Sequence, residues 1–245
     1  MPLNNLVMEQ DGKVFTIQIS RPAKKNALTQ DMYRGLIQAF EKADADDRIH
    51  CIFLRGTQDC FCAGNDLKDF LETGAQAAAD FVKCISQVKK PIVAAVNGPT
   101  VGVGTTMLLH CDVVVAAEEA YFMMPFTDLG LCPEAGASYL LPRLLGQCRA
   151  SELLLLGTRI NAANACELGL INRVCTAQEY VEVGRTLAEE LAAKPLAAIL
   201  ATKALIRKHQ EPLVAQAISN ENEQFISLLN TEESRRIMTA FFSKG

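Results

Sequence analysis

Three short segments carry residue types that could do chemistry, and two of them come after a continuous apolar run. Cys62-Ala-Gly-Asn-Asp-Leu-Lys-Asp69 follows Cys51–Leu54, Asn97-Gly-Pro-Thr-Val-Gly-Val-Gly104 follows Ile92–Val96, and Leu129-Gly-Leu-Cys-Pro-Glu-Ala-Gly136 lies further on. In the third, Glu134 sits among Leu129, Leu131, Cys132, Ala135 and Gly136. A carboxylate in apolar surroundings has its pKa raised by desolvation, which makes it a usable general base near neutrality. The other reading is that Glu134 opens the next helix from solvent. In the second segment, Gly98, Gly102 and Gly104 precede the apolar stretch Thr105–His110. Such a turn exposes backbone N–H groups to an anion, or is simply a tight turn. It has neither G-K-[ST] nor an in-register G-x-G-x-x-G, so a phosphate loop is not indicated. In the first segment, Asp66 and Lys68 also read as a helix cap and a surface charge.

The elements that must position these loops alternate between strand and helix in the first half. Phe15, Ile17 and Ile19 alternate with polar residues, the period of a half-buried strand. A helix follows from Leu28, with Thr29 as N-cap and Met32, Leu36, Phe40 and Ala43 on one stripe. Cys51–Leu54 reads as a short, continuously apolar strand, and Ile92–Val96 and Val113–Ala117 as strands of a parallel sheet covered on both faces, with a helix through Phe81, Cys84, Ile85 and Val88 between the first two. The strand pattern fades near residue 120. Beyond Leu145 the spacing predicts helices over 149–156, 162–168, 178–193, 196–209, 213–229 and 232–242, with a break at Lys194-Pro195. Loops at the ends of parallel strands are where open α/β folds place their sites.

At 245 residues the chain fits one large domain or one domain with a small appendage. Its 24 Lys and Arg against 28 Asp and Glu give a net charge of −4, which excludes a broad nucleic-acid or anionic-membrane surface. A bound polyanion would need a local cluster of cations. The nine cysteines include no C-x-x-C pair, and Cys60-Phe-Cys62 has the wrong spacing for a zinc knuckle or a redox dithiol. Most read as small buried hydrophobes in a reducing compartment, and no metal site is predicted. MPLNNLVMEQDGK has no basic-then-apolar leader pattern, and no apolar run reaches 18 residues. The C-terminal Ser-Lys-Gly lacks the final Leu of a peroxisomal tripeptide. The expected location is cytoplasmic.

Together the three loops resemble the crotonase (enoyl-CoA hydratase/isomerase) superfamily. The likeness runs through Ser20-Arg-Pro-Ala-Lys-Lys-Asn-Ala-Leu28, Phe61-Cys-Ala-Gly-Asn-Asp-Leu67, Lys90-Pro-Ile-Val-Ala-Ala-Val-Asn-Gly-Pro99 with Cys111-Asp112, and Gly157-Thr-Arg-Ile160 with Ala163, Ala165 and Gly169-Leu-Ile171. Within the superfamily the chain is most similar to Δ3,Δ2-enoyl-CoA isomerases of the peroxisomal type, through Gly64-Asn-Asp-Leu67 and Pro133-Glu-Ala135. The resemblance implies a crotonase-like α/β spiral of ββα units over 1–194 and a C-terminal helical oligomerisation region over 195–245, in a homotrimer or a dimer of trimers.

It also implies an acyl-CoA thioester substrate, no separate cofactor and a place in fatty-acid β-oxidation. The thioester oxygen would be held by the backbone N–H groups of Asn65 and Val103. Preorganised donors of this kind contribute about 3–4 kcal/mol each. Lys24 and Lys25 are the expected cations for the CoA phosphates, with Ala27, Ala63, Gly64, Asp66 and Leu67 around the adenine and pantetheine. Lys68 and Lys244 are weaker candidates, and Phe241 and Phe242 could close a pocket. Two departures stand out. Hydratases of this family flank one water with two glutamates, and those positions align here with Thr106 and Phe126. Glu134 matches the single base of the isomerases, with Asp128 read as a turn residue. A hydratase, hydrolase or decarboxylase on the same scaffold, and a non-catalytic acyl-CoA-binding module, are the alternatives. His50, His110 and His209 receive no role.

Overall fold

Leu6–Asp11 (β1) and Val14–Ile19 (β2) form an antiparallel hairpin turned at Gly12 in the computed structural model, which describes residues 5–242. Thr29 caps Gln30–Ala45 (α1) by accepting the Met32 N–H, as expected from its position. Cys51–Arg55 (β3), Leu67–Thr73 (α2), Gln76–Gln87 (α3), Ile92–Val96 (β4), Pro99–Val101 (β5) and Val103–Thr106 (α4) follow. Next are Val113–Ala117 (β6), Tyr121–Met123 (β7), Ala137–Leu145 (α5), Gln147–Leu155 (α6), Ile160–Asn161 (β8), Ala162–Glu167 (α7) and Arg173–Cys175 (β9). Tyr180–Ala193 (α8), Leu196–Arg207 (α9), Glu211–Leu229 (α10) and Glu232–Phe242 (α11) complete the described residues. Lys244 lies outside the described residues, as do the side chains of Phe241 and Phe242.

The main sheet has the order β1-β2-β3-β4-β6-β9 and is parallel from β2 onward. Its apolar runs serve two faces because side chains alternate along a strand. Ile52, Leu54, Ile92, Ala94, Val96, Val114 and Ala116 join the larger core with α1 and α3. Cys51, Phe53, Val93, Ala95, Val115 and Ala117 pack with Tyr180, Ala188 and Ala192 of α8. Gly184 lets α8 approach closely, since a Cβ there would lie 3.0 Å from the Phe53 ring and 3.1 Å from Ala95 Cβ.

Strand structure does continue beyond residue 120. A small second sheet, β5-β7-β8, lies beside the main one, and β9 adds an edge to the large sheet. These strands are two or three residues long, too short for an alternation to register. The helix break falls at Lys194-Pro195 as expected. Of the apolar tail, Val214, Ile218, Phe225, Leu229 and Met238 enter the chain's own core, while Leu205, Ile206, Leu213 and Ile226 are exposed. Cys51, Cys60 and Cys62 are buried, Cys148 is exposed, and all nine cysteines are free.

Candidate active site

The Cys62–Asp69 loop leaves the C-terminal end of β3 and is held along its length by residues 25–28. Asn26, fully buried, donates to the carbonyls of Cys60 at 2.6 Å and Phe61 at 3.2 Å. The N–H of Ala63 donates to Lys25 O, that of Leu28 to Gly64 O, and that of Asp66 to Leu28 O. In this parallel bridge the bonds fall on Gly64 and Asp66, so the Asn65 N–H points away from its neighbour. Tyr33 of α1, fully buried, donates its hydroxyl to Asn65 Oδ1 and fixes that side chain.

The second glycine loop leaves the C-terminal end of β4 and is tied to the first. The Cys62 N–H donates to Pro99 O, and the Val101 N–H to Cys62 O at 2.9 Å. A Cβ on Gly104 would lie 2.5 Å from Cys62 O, so only glycine permits this approach. The small sheet holds the loop from the other side, through Gly102 N–H to Met123 O at 2.9 Å and Thr105 Oγ1 to Thr100 O at 2.5 Å. Val103 is the first residue of α4, fully buried, and its N–H precedes the intrahelical ladder. Among the described residues, neither the Asn65 nor the Val103 N–H has a protein acceptor. Two free donors on adjoining loops are what an oxyanion requires.

Glu134 is 6% exposed. Burial pushes its carboxyl up from 4.5 to about 7, opposed by a hydrogen bond from Thr106 and assisted by the charge of Glu221. Thr106 Oγ1 donates to Glu134 Oε1, and Oε2 takes no protein donor among the described residues. Glu134 and Asn65 line one crevice with Phe70 and Ala78 from the α2–α3 side, and with Asn222 and Phe225 of α10. Of the two readings of Glu134 in the sequence, the buried one holds; it is not a solvent-facing helix opener.

The other expected residues are not among those lining the crevice. Lys24 and Lys25 are exposed on a turn of 3₁₀ helix at Pro22–Lys24, with Lys25 in a left-handed conformation. Ala27, Ala63 and Leu67 are partly buried and Gly64 is buried. Asp66 caps α2 by accepting the Asp69 N–H and pairs with Arg21 at 2.7 Å, which holds its carboxyl below the usual range. Lys68 is exposed, 4.0 Å from Glu72. Asp128 is exposed in a turn, as read from the sequence. No cluster of metal-ligating side chains occurs among the described residues, and no described helix is long and apolar enough to cross a membrane.

The sequence profile of the family described as "Enoyl-CoA hydratase/isomerase" matches residues 9–245. The chain belongs to that family, within the crotonase superfamily. It is similar to a "Probable enoyl-CoA hydratase" of Rhizobium meliloti, 33% identical over 100% of this chain and 97% of the relative. The "Enoyl-CoA delta isomerase 3, peroxisomal" of Mus musculus is 32% identical over 96% of this chain and 77% of its own. A crystal structure of an enoyl-CoA hydratase/isomerase from Pseudoalteromonas atlantica superimposes with a TM-score of 0.94 at 39% identity, covering 98% of both chains. The fold is therefore the crotonase fold and the chain an enzyme of that superfamily.

Four residues of the site carry no role in the sequence reading. Thr106 is visible in the sequence only as a position lacking a hydratase glutamate, and its hydroxyl bonds Glu134. His110 is buried and donates Nε2–H to Ala135 O at 2.8 Å; burial lowers its pKa to about 4, so it is neutral. Tyr33 lay hidden on the apolar face of α1. Glu221 carried the clearest signal, a carboxylate on the stripe of Val214, Ile218, Phe225 and Leu229.

Proposed function

We propose that this enzyme shifts the double bond of a 3-enoyl-CoA to give trans-2-enoyl-CoA. The observation that carries the reading is the pairing of a single buried carboxylate, Glu134, with the hydroxyl of Thr106 rather than with a second acid. The nearby Glu221 has both oxygens engaged by the N–H groups of Gly136 and Ser138, so it is not free to activate water. One carboxylate suffices for isomerisation. Glu134 Oε2 takes a proton from C2, and the electrons of that bond form a dienolate with negative charge on the thioester oxygen. The N–H groups of Asn65 and Val103 stabilise that charge. Glu134 then delivers its proton to C4, the C3–C4 double bond moves to C2–C3, and the base is regenerated.

The CoA part of the substrate is read on the rim of Lys24, Lys25, Ala27, Ala63, Gly64, Asp66, Leu67 and Lys68, with no separate cofactor, nucleic acid or membrane as partner. Exposed Leu155, Leu156, Leu205 and Ile206 support a homotrimer or a dimer of trimers, in the cytoplasm and within fatty-acid β-oxidation. The test is a pair of assays on wild type and Glu134→Gln, isomerisation of a 3-enoyl-CoA and hydration of crotonyl-CoA. Expected are isomerisation without appreciable hydration, lost by about 100-fold or more in Glu134→Gln with CoA-ester affinity retained. Rapid hydration by the wild type, or isomerisation retained in the variant, refutes the reading.

A further inference from the structure

We propose that Glu221 of α10 is the positioning residue of this active site, holding the loop that carries Glu134 in its working conformation. The inference rests on the reading of Glu134 as the base. Glu221 is 6% exposed. Its Oε2 accepts the Gly136 N–H at 2.6 Å and its Oε1 the Ser138 N–H at 2.8 Å, one donor per oxygen. A bidentate clasp of this kind sets orientation as well as distance.

The clasped segment needs holding. Ala135 and Gly136, directly after the base, have φ of 62° and 72°. The left-handed region costs a residue with a Cβ about 1–2 kcal/mol, so Ala135 stays there only if its surroundings over-determine it. His110 fixes its carbonyl and Glu221 fixes the next N–H. Gly136 fits beneath α10, where a Cβ would lie 3.3 Å from Val214 and 3.5 Å from Ile218. On α10 itself, Glu221 occupies a place on the core-facing stripe where an apolar residue would stabilise the fold more. The same helix lines the crevice with Asn222 and Phe225. One element thus both walls the site and aims its base.

The clasp also has an electrostatic side. The groups facing Glu134 are Tyr33 of α1, Cys62 of the first loop, Thr106 of α4, Cys132 of its own loop and Glu221. Burial keeps the Tyr33 hydroxyl and the Cys62 and Cys132 thiols protonated, which leaves Glu221 as the other carboxyl whose ionisation raises Glu134. Both carboxyls are raised by burial, but Glu221 alone receives two backbone donors that favour its ionised form. The two carboxyls are thereby differently held, Glu221 by two backbone N–H groups and Glu134 by the Thr106 hydroxyl alone.

The experiment compares Glu221→Gln and Glu221→Asp with wild type, and with Glu134→Gln as spectroscopic control. It reads kcat and KM for a 3-enoyl-CoA, the melting transition, and the titration of the Glu134 carboxyl carbon by 13C NMR. In Glu221→Gln, kcat falls about 10- to 100-fold with KM within about threefold, and Glu134 titrates at lower pH. In Glu221→Asp the charge remains but the reach shortens, so kcat falls while the titration stays nearer the wild-type position. If Glu221→Gln has no melting transition, the kcat of Glu221→Asp decides. Wild-type kcat in the folded variants with an unmoved Glu134 titration makes Glu221 a mere cap of α5 and overturns the proposal. If the wild type isomerises nothing, the function reading falls, and the NMR titration tests the clasp by itself.

Discussion

Replacing Thr106 by valine removes the one hydroxyl that bonds Glu134 while keeping the side-chain volume, so it isolates a hydrogen bond from a packing change. A donor to a carboxylate favours the ionised form, and its removal therefore raises the pKa of Glu134. Hydrogen bonds to charged groups are worth about 1.5–3 kcal/mol, which is about one to two pH units. Starting from about 7, the wild type is about half ionised at pH 7, and the variant about one-tenth ionised or less. Isomerisation at pH 7 should therefore fall about 5- to 50-fold and recover as the pH is raised by about two units. The assay is the pH dependence of kcat/KM for a 3-enoyl-CoA, followed by the absorbance of the conjugated product. An acidic limb that stays in place or moves down refutes the reasoning. So does an equal loss at every pH, which would mean that Thr106 matters for shape alone.

Two further outcomes follow from the same geometry. Glu134 titrates at 4.5 when unfolded and at about 7 when folded, so the folded chain binds its proton more tightly. That contribution to stability is fully present below pH 4.5 and is lost as the pH rises through about 7. Glu134→Gln should therefore unfold later than wild type at pH 8, by up to about 3 kcal/mol, and match it near pH 4.5; chemical denaturation at the two pH values checks this. Gly104→Ala drives a methyl group to 2.5 Å from Cys62 O and separates the two donor loops. Its kcat should drop by about 100-fold or more, while titration with a saturated acyl-CoA still shows binding.

Much of the scaffold was legible because its signals are local. The apolar run of β3 reads as a strand and those of β4 and β6 as strands buried on both faces, and Thr29 and Pro195 mark helix boundaries that the structure reproduces. β1 was missed because it is an edge strand whose exposed residues show no clean alternation. α5 was missed because Pro142 stands within it. At the site, the glycines and Glu134 were readable from their sequence setting. The helix-cap reading of Asp66 is also reproduced, since its carboxylate accepts from the start of α2 and pairs with Arg21. Thr106, His110 and Tyr33 act on the site from ordinary helical or apolar positions, where only distance in three dimensions gives them a partner.

The span of the Glu221 clasp has a consequence for synthesis of the chain. Gly136 and its acceptor are separated by 85 residues. At about 5–20 residues per second, the ribosome takes roughly 4 to 17 s to supply the second after the first. During that interval both glycine-rich loops and the base itself exist, yet Ala135 and Gly136 have no carboxylate beneath them. If Glu134 is the base and Glu221 its clasp, a chain still being made is a scaffold without a held base until α10 docks.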